Sequence, residues 1–192
     1  ADSTARFRTM ASLALPIGLE KQMHAIHDQI QESPHRDHVN TAFTEWLMIS
    51  DSHTGLNFTN MGGALFTGGF LNMILRNSNI VPISDMTGIM EFGGIWSKRG
   101  QVYGAPAYWV LREYANAQPR TLLSVKSNSP EYSIAHGVNR LPEIANVPYL
   151  DVVAAESEGG KSLVLFCVNR HLTRSLTASF DFASLEVKGR SA

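Results

Sequence analysis

The chain has 192 residues, of which 44% are hydrophobic and 17% charged, and its formal net charge at pH 7 is −1. This is the composition of an ordinary globular protein that is long enough to bury a sizeable core. A charge near zero gives no electrostatic reason to expect nucleic acid or an anionic membrane surface as a partner, and no apolar run approaches the roughly 18 residues of a spanning helix. The expected partner is therefore a neutral molecule.

The amino-terminal part of the chain begins with a helix and a strand. Apolar residues recur at spacings of four, three and four between residues 19 and 31, which predicts an amphipathic helix. The pair Ser33-Pro34 is expected to end this helix, because a proline disfavours helical geometry in the residue before it. Residues 39–46 follow as a short, uncharged, β-favouring run that ends in Glu45 and Trp46.

A buried helix, a second strand and a third helix are predicted next. Residues 61–76 are apolar almost all round, and we expect another backbone to pack closely against the glycines of this helix, which are Gly62, Gly63, Gly68 and Gly69. The second strand spans residues 80–83 and continues less regularly to residue 92. Pro106 then suits the first turn of a helix.

After about residue 116 the pattern changes to short runs of β-formers separated by turn residues. The predicted strands cover residues 121–126, 132–136, 149–156, 161–168 and 173–182. Residues 157–160 are expected to join two of them as a hairpin. Apolar and polar residues alternate in the last run, as in a half-buried antiparallel strand. The whole chain therefore predicts α/β units followed by an all-β region.

Glu45 is the most informative carboxylate in the sequence. It ends a strand, and barrel enzymes place catalytic groups at the carboxyl ends of strands, where the strand fixes the side chain and the loops supply the substrate. The adjacent Trp46 offers a flat surface for a sugar ring, or it is part of the core. Strand pattern alone favours an acid that faces water or caps a neighbouring element.

Several stretches of the sequence resemble glycoside hydrolase family 51, the α-L-arabinofuranosidases. They are Thr44-Glu45-Trp46, Gly69-Phe70-Leu71-Asn72, Leu75-Arg76 and Asn79-Ile80-Val81, and residues 84–96 followed by Pro106-Ala107-Tyr108-Trp109 fit one branch of the family. The likeness covers most of the chain and is strongest between residues 39 and 115. It implies that residues 1–116 hold the final two strand–helix units of a (β/α)8 barrel and that residues 117–192 hold an antiparallel β-sandwich.

The resemblance also implies an activity. Family members hydrolyse terminal arabinofuranosyl residues with retention through a covalent glycosyl-enzyme intermediate, and Glu45 matches their nucleophile. The family's acid/base glutamate follows an asparagine, and no Asn-Glu pair exists in this sequence. We therefore expect a carboxyl-terminal portion of a larger enzyme that lacks the acid. At Gly88, many relatives have a glutamine that contacts the sugar.

The expected partners follow from this reading. The ligand would be an arabinose-containing oligosaccharide or polysaccharide, and no cofactor is expected. Part of a barrel exposes strand edges, so we expect a missing amino-terminal segment of the same enzyme or a second copy to cover them. Trp96 is a candidate sugar-stacking residue, with packing between barrel and sandwich as the alternative.

Other candidate chemistry is weaker. Cys167, the single cysteine, lies in an apolar strand and is expected to behave as a small hydrophobe rather than a nucleophile. The histidine pairs lack a third ligand, so no metal site is expected. Asp51, Asp85 and Glu91 are the remaining acids near candidate active-site loops.

Two other functions stay open from the sequence. One is a non-catalytic carbohydrate-binding or interaction module in which Glu45 is incidental. The other is a family-51 relative with a different specificity, such as an endoglucanase. A concave site with aromatic walls at Glu45 would favour an enzyme, whereas a covered surface there would favour a module.

Overall fold

A computed structural model describes residues 5–49, 55–88, 90, 94–137 and 142–182. The elements in these ranges are α1 (Ala5–Glu32), β1 (Ala42–Trp46), α2 (Met61–Arg76), β2 (Ile83–Met86), β3 (Ile95–Lys98), β4 (Gln101–Gly104), α3 (Pro106–Ala117), β5 (Pro119–Leu123), β6 (Glu131–Ile134), β7 (Ile144–Pro148), β8 (Leu150–Ser157) and β9 (Leu163–Asn169). No helix in the described ranges has the length and apolarity needed to cross a membrane.

Strands β1 and β2 pair in parallel, and α2 connects them. Helix α2 begins at the predicted residue because Asn60 caps it, its side-chain oxygen accepting a hydrogen bond from the Gly63 backbone N–H at 3.1 Å. A Cβ at Gly63 would collide with the carbonyl oxygen of Asn57, so the predicted close approach of a backbone is confirmed there. At Gly68 and Gly69 the close neighbours are side chains instead.

Helix α1 is longer than predicted. It starts at Ala5 rather than at residue 19, and it includes Pro16. Between residues 11 and 18 almost every position is buried, so this part of the helix has no polar face and no amphipathic period to detect. Its carboxyl end agrees with the prediction, since the helix stops at Glu32, immediately before the Ser33-Pro34 pair.

The second half of the described chain is antiparallel β. Strands β5, β8 and β9 form a three-stranded sheet, and β6 pairs with β7. The predicted hairpin is confirmed: a single 3-10 turn, Glu158–Gly160, joins β8 to β9. Its glycines, Gly159 and Gly160, have φ values of 78° and 65°, a conformation that favours glycine.

Several parts of the β pattern differ from the prediction. Strand β7 (Ile144–Pro148) was not predicted, and β2 spans Ile83–Met86 rather than residues 80–83. Residues 173–182 form no strand, and Phe180 is 43% exposed, so that prediction was wrong. A strand requires a neighbouring strand to hydrogen-bond with, and alternation along one segment does not supply one. The hairpin formed by β3 and β4 was not predicted; its turn uses Arg99 and Gly100, both with positive φ.

Buried ion pairs join the helices to the β region. Asp151 on β8 is 3% exposed and binds two guanidinium groups, with Arg76 Nη1 at 2.7 Å and Arg170 Nη2 at 2.8 Å. Arg76, at the end of α2, also contacts Glu20 of α1 at 3.3 Å. Arg170 is 1% exposed and donates a further hydrogen bond to the carbonyl of Pro148. Asp151 therefore connects α2 to the three-stranded sheet, and Arg76 extends this connection to α1.

Asp151→Ala should destabilise the protein by about 3–5 kcal/mol, because it leaves the buried Arg170 without its counter-charge. Urea unfolding followed by circular dichroism measures the change. The matched control is Glu158→Gln, which breaks the solvent-exposed pair with Arg120 at 2.8 Å and should leave the unfolding midpoint almost unchanged. Equal changes in the unfolding midpoint would contradict the claim that the buried ion pairs of Asp151 stabilise the protein more than the exposed pair does.

Candidate active site

Glu45 lies in a β-bulge of strand β1. Phe43 pairs with Ser84 of β2 and Trp46 pairs with Met86, so three steps along β1 match two along β2. Thr44 and Glu45 together therefore oppose the single residue Asp85. A bulge bends its strand and redirects side chains, and bulges recur beside active sites.

The bulge turns two aromatic residues toward α2. Trp46 stacks on Phe70 with ring centroids 4.3 Å apart and an interplanar angle of 19°, and Phe43 meets the same ring edge-on at 5.2 Å. Trp46 is 5% exposed and Phe70 is 1% exposed. The Trp46 ring thus belongs to the core of this structure. Its Nε1 is buried and has no hydrogen-bond partner among the described residues.

The opposite face of the β1–β2 pair is open and acidic. Thr44, Glu45 and Asp85 are all exposed there. Neither carboxylate forms a salt bridge with any described residue. Like charges opposite each other on neighbouring strands repel, so this placement does not serve stability. It leaves two free carboxylates at the carboxyl ends of two parallel strands.

Glu45 also borders a depression of about 390 Å³. The lining comes from α1, from α2 and from the chain around β1, and consists of Leu15, Leu19, Gln22, Phe43, Glu45, Trp46, Leu47, Met48, Ile49, Phe66 and Phe70. Four of these side chains are aromatic, and Glu45 is the one ionisable group in the set. Three of the aromatic side chains, Trp46, Phe66 and Phe70, are at most 5% exposed and offer a sugar almost no surface, so the depression alone does not decide between an enzyme and a binding module.

Trp96, the other predicted site residue, lies elsewhere in the described structure. It is half-buried on β3, where its ring stacks near Phe58 with centroids 5.8 Å apart and near Tyr103 at 6.4 Å. It does not line the depression at Glu45. These two ring contacts are those of packing, and a role in stacking on a sugar stays a prediction.

The remaining predicted positions divide into two groups. Asp51 and Glu91 lie outside the described residues. Gly88 has φ 58°, which side chains other than glycine rarely adopt. A side chain at this position would be strained on this backbone. In the described ranges no three His, Cys, Asp or Glu side chains group as a metal site would require.

Cys167 is exposed, which the apolar composition of its strand does not indicate. Side chains alternate along β9, so its neighbours Phe166 and Val168 are buried while Cys167 lies on the other face. Partial desolvation raises the pKa of the Cys167 thiol, and the negative charge of Asp151 adds to this effect.

Iodoacetamide should alkylate Cys167, but at pH 8 more slowly than it alkylates a cysteine in a short peptide. A raised thiol pKa means a smaller thiolate fraction, and the thiolate is the nucleophile. Mass spectrometry of timed samples gives the rate, and the rate should rise with pH beyond the range where the peptide saturates. A reaction as fast as that of the peptide at pH 8 would contradict the raised pKa.

Comparison with known proteins gives the family. The model of the alpha-L-arabinofuranosidase C-terminal domain matches residues 44–192. A curated relative, the intracellular exo-alpha-(1->5)-L-arabinofuranosidase of Halalkalibacterium halodurans, is 22% identical over 173 residues, which cover 87% of this chain and 32% of that protein. The chain thus spans about a third of the length of this relative.

Solved structures share the fold. A crystal structure of an arabinofuranosidase superposes with a TM-score of 0.70 at 23% identity, covering 86% of this chain and 35% of that one. The α-L-arabinofuranosidase of Thermotoga maritima, solved as an arabinose complex, gives 0.69 at 22% identity, covering 88% and 36%. A family 51 enzyme from Bifidobacterium longum gives 0.67 at 16% identity, covering 86% and 35%. The chain belongs to the alpha-L-arabinofuranosidase C-terminal domain family and corresponds to the C-terminal portion of family 51 enzymes.

Proposed function

We propose that this chain is the nucleophile-bearing part of a retaining α-L-arabinofuranosidase and that Glu45 is the nucleophile. The observation that carries the proposal is the position of Glu45. It lies in a bulge at the carboxyl end of a parallel strand, it is exposed, and it forms no ion pair with any residue in the described ranges. A retaining glycosidase needs an ionised carboxylate held rigidly below the anomeric carbon.

The proposed layout has two parts. Residues 1–116 form the last two strand–helix units of a (β/α)8 barrel, and residues 117–192 belong to a β-sandwich. The parallel pair of β1 and β2 joined by α2 supports the first part, and the antiparallel sheets after α3 support the second. In this layout the open face that holds Glu45 and Asp85 points into the barrel, toward strands that an upstream segment supplies.

The acid/base group of the reaction is proposed to lie in that upstream segment. Retention requires a second carboxyl about 5–5.5 Å from the nucleophile that protonates the departing oxygen. Asp85 is next to Glu45, but it lies on the neighbouring strand and faces the same side. It therefore approaches the sugar from the direction of the nucleophile rather than from the leaving group.

Asp85→Asn in the full-length enzyme tests this assignment. Turnover of a natural arabinofuranoside should fall by less than the 10²–10⁴-fold that removal of a general acid typically causes. The pH dependence of kcat/KM should keep its basic limb, because the group that must be protonated is still present. A lost basic limb together with a fall in that range would assign the acid to Asp85 instead.

The proposed substrates are terminal arabinofuranosyl residues of plant oligosaccharides or polysaccharides. The named relatives are arabinofuranosidases, which favours this specificity over that of an endoglucanase. The direct test is to assay the full-length protein with 4-nitrophenyl α-L-arabinofuranoside and with a soluble cellulose derivative. Release from the first and not the second is expected, and the reverse result would contradict the proposed specificity.

A further inference from the structure

We infer that Phe70 is a positioning residue for Glu45, acting through the indole of Trp46. This inference rests on the proposed function, in which Glu45 is the nucleophile. Glu45 and Trp46 are consecutive, so a fixed indole fixes the backbone that carries the carboxylate. The stack of Trp46 on Phe70, at 4.3 Å and 19°, is the contact that holds the indole in place.

The bulge makes this contact necessary. A regular strand is held by evenly spaced hydrogen bonds to its neighbour, whereas a bulge leaves one residue unpaired and the ladder disrupted. Thr44 and Glu45 occupy that disrupted stretch. The residues on either side, Phe43 and Trp46, both pack on the Phe70 ring. One side chain of α2 therefore holds both ends of the bulge.

Helix α2, which carries Phe70, is itself held by α3 and the β region. On the other side of α2, the Tyr114 hydroxyl donates a hydrogen bond to Asn72 Oδ1 at 2.7 Å, and the Tyr114 ring stacks on Phe166 of β9 at 3.9 Å. At Gly69, a Cβ would lie 3.2 Å from Arg170 Nη2, so α2 lies tightly against that buried guanidinium. The sheet fixes α2, and α2 in turn fixes the strand that carries Glu45.

The expected consequence is a change in rate rather than in binding. A misplacement of about 1 Å in a reacting group costs about 10²-fold in rate. Phe70→Leu keeps an apolar side chain but removes the stacking surface. In the full-length enzyme it should lower kcat on 4-nitrophenyl α-L-arabinofuranoside by about 10- to 100-fold and change KM by less than about twofold.

Met73→Val is the matched control. Met73 lies on the same helix, is 0% exposed and belongs to the same core, but it does not line the depression beside Glu45. Its substitution removes a similar volume from that core, so it reports the effect of a cavity beside α2. We expect kcat within about threefold of the wild type. Phe70→Met is a second variant that fills the space with an unbranched chain. It should also lower kcat, and it provides the test if Phe70→Leu folds poorly.

A double-variant experiment separates positioning from general support. In Glu45→Ala, added azide attacks the anomeric carbon of the aryl glycoside, a C–N bond forms, and the C–O bond breaks with its electron pair leaving as nitrophenolate. This rate does not depend on where a carboxylate points. Glu45→Ala with Phe70→Leu should therefore show the same azide-dependent rate, within about twofold, as Glu45→Ala alone.

The outcomes distinguish this inference from the proposed function. An azide-dependent rate that falls with Phe70→Leu as much as kcat does in the wild type would overturn the inference alone, because Phe70 would then support the whole site. An effect of Met73→Val on kcat equal to that of Phe70→Leu would overturn it too. Near-normal turnover by Glu45→Ala without azide would overturn the proposed function and this inference with it.

Discussion

Glu45→Ala in the full-length enzyme should lower turnover of aryl and natural arabinofuranosides by more than about 10⁴-fold. The substitution removes the proposed nucleophile, and among the residues that the structure describes no other carboxylate lines the depression beside it. Azide should then restore release from an activated aryl glycoside, because the small anion fills the space of the missing carboxylate. The measurement is nitrophenolate release with and without azide.

Glu45→Gln is the control for volume. The amide keeps the size and polarity of the side chain but cannot act as the nucleophile, so it should be as inactive as the alanine variant. It should respond less to azide because it leaves less room. Because Glu45 is exposed and forms no ion pair within the described part of the chain, both variants should unfold at the wild-type temperature. Near-normal turnover by the alanine variant would end the assignment.

The isolated 192-residue chain should have no measurable arabinofuranosidase activity. Attack by the nucleophile requires protonation of the departing oxygen, a contribution typically worth 10²–10⁴-fold, and we place the acid outside this chain. The open face of β1 and β2 also lacks the walls that would orient a sugar, and loss of orientation costs further orders of magnitude. An activated leaving group removes the need for an acid, but the sugar must still be bound and oriented.

The test is to assay the purified chain and the full-length enzyme side by side with 4-nitrophenyl α-L-arabinofuranoside. The Glu45→Ala version of the isolated chain is the matched control for background release. Turnover by the chain within about a hundredfold of the full-length enzyme, abolished by the control substitution, would mean that a local group such as Asp85 supplies the acid. The proposal that the acid/base group lies outside this chain would then be wrong.

Elements whose signal is local could be predicted from the sequence. Helix α2 has the predicted bounds because its cap at Asn60 and its apolar composition lie within one segment. The turn at Glu158–Gly160 follows from its glycines. By contrast, the first half of α1 is buried on all sides, and residues 173–182 lack a pairing partner in the described structure. Both depend on what surrounds the segment, and a single sequence does not encode that in its periodicity.

The candidate site also combines features that the sequence predicts with features that only the three-dimensional structure reveals. Glu45 could be identified because the Thr44-Glu45-Trp46 stretch resembles a known family. The bulge could not, since it is defined by a register between residues about 40 positions apart. The buried role of Arg170 was also missed, because arginine is almost never fully buried unless it is paired, and its partner Asp151 is recognisable only in three dimensions. The sequence distinguishes Phe70 in no way from the other apolar residues of α2.

Trapping the covalent intermediate tests the central claim most directly. An arabinofuranoside with a good leaving group, mixed briefly with the full-length enzyme and quenched in acid, should leave one pentosyl group esterified to the protein. Proteolysis and tandem mass spectrometry then locate it. We expect the label on the peptide that contains Glu45, and none in the Glu45→Ala variant. A label on another carboxylate, or turnover with inversion and no label, would contradict Glu45 as the nucleophile.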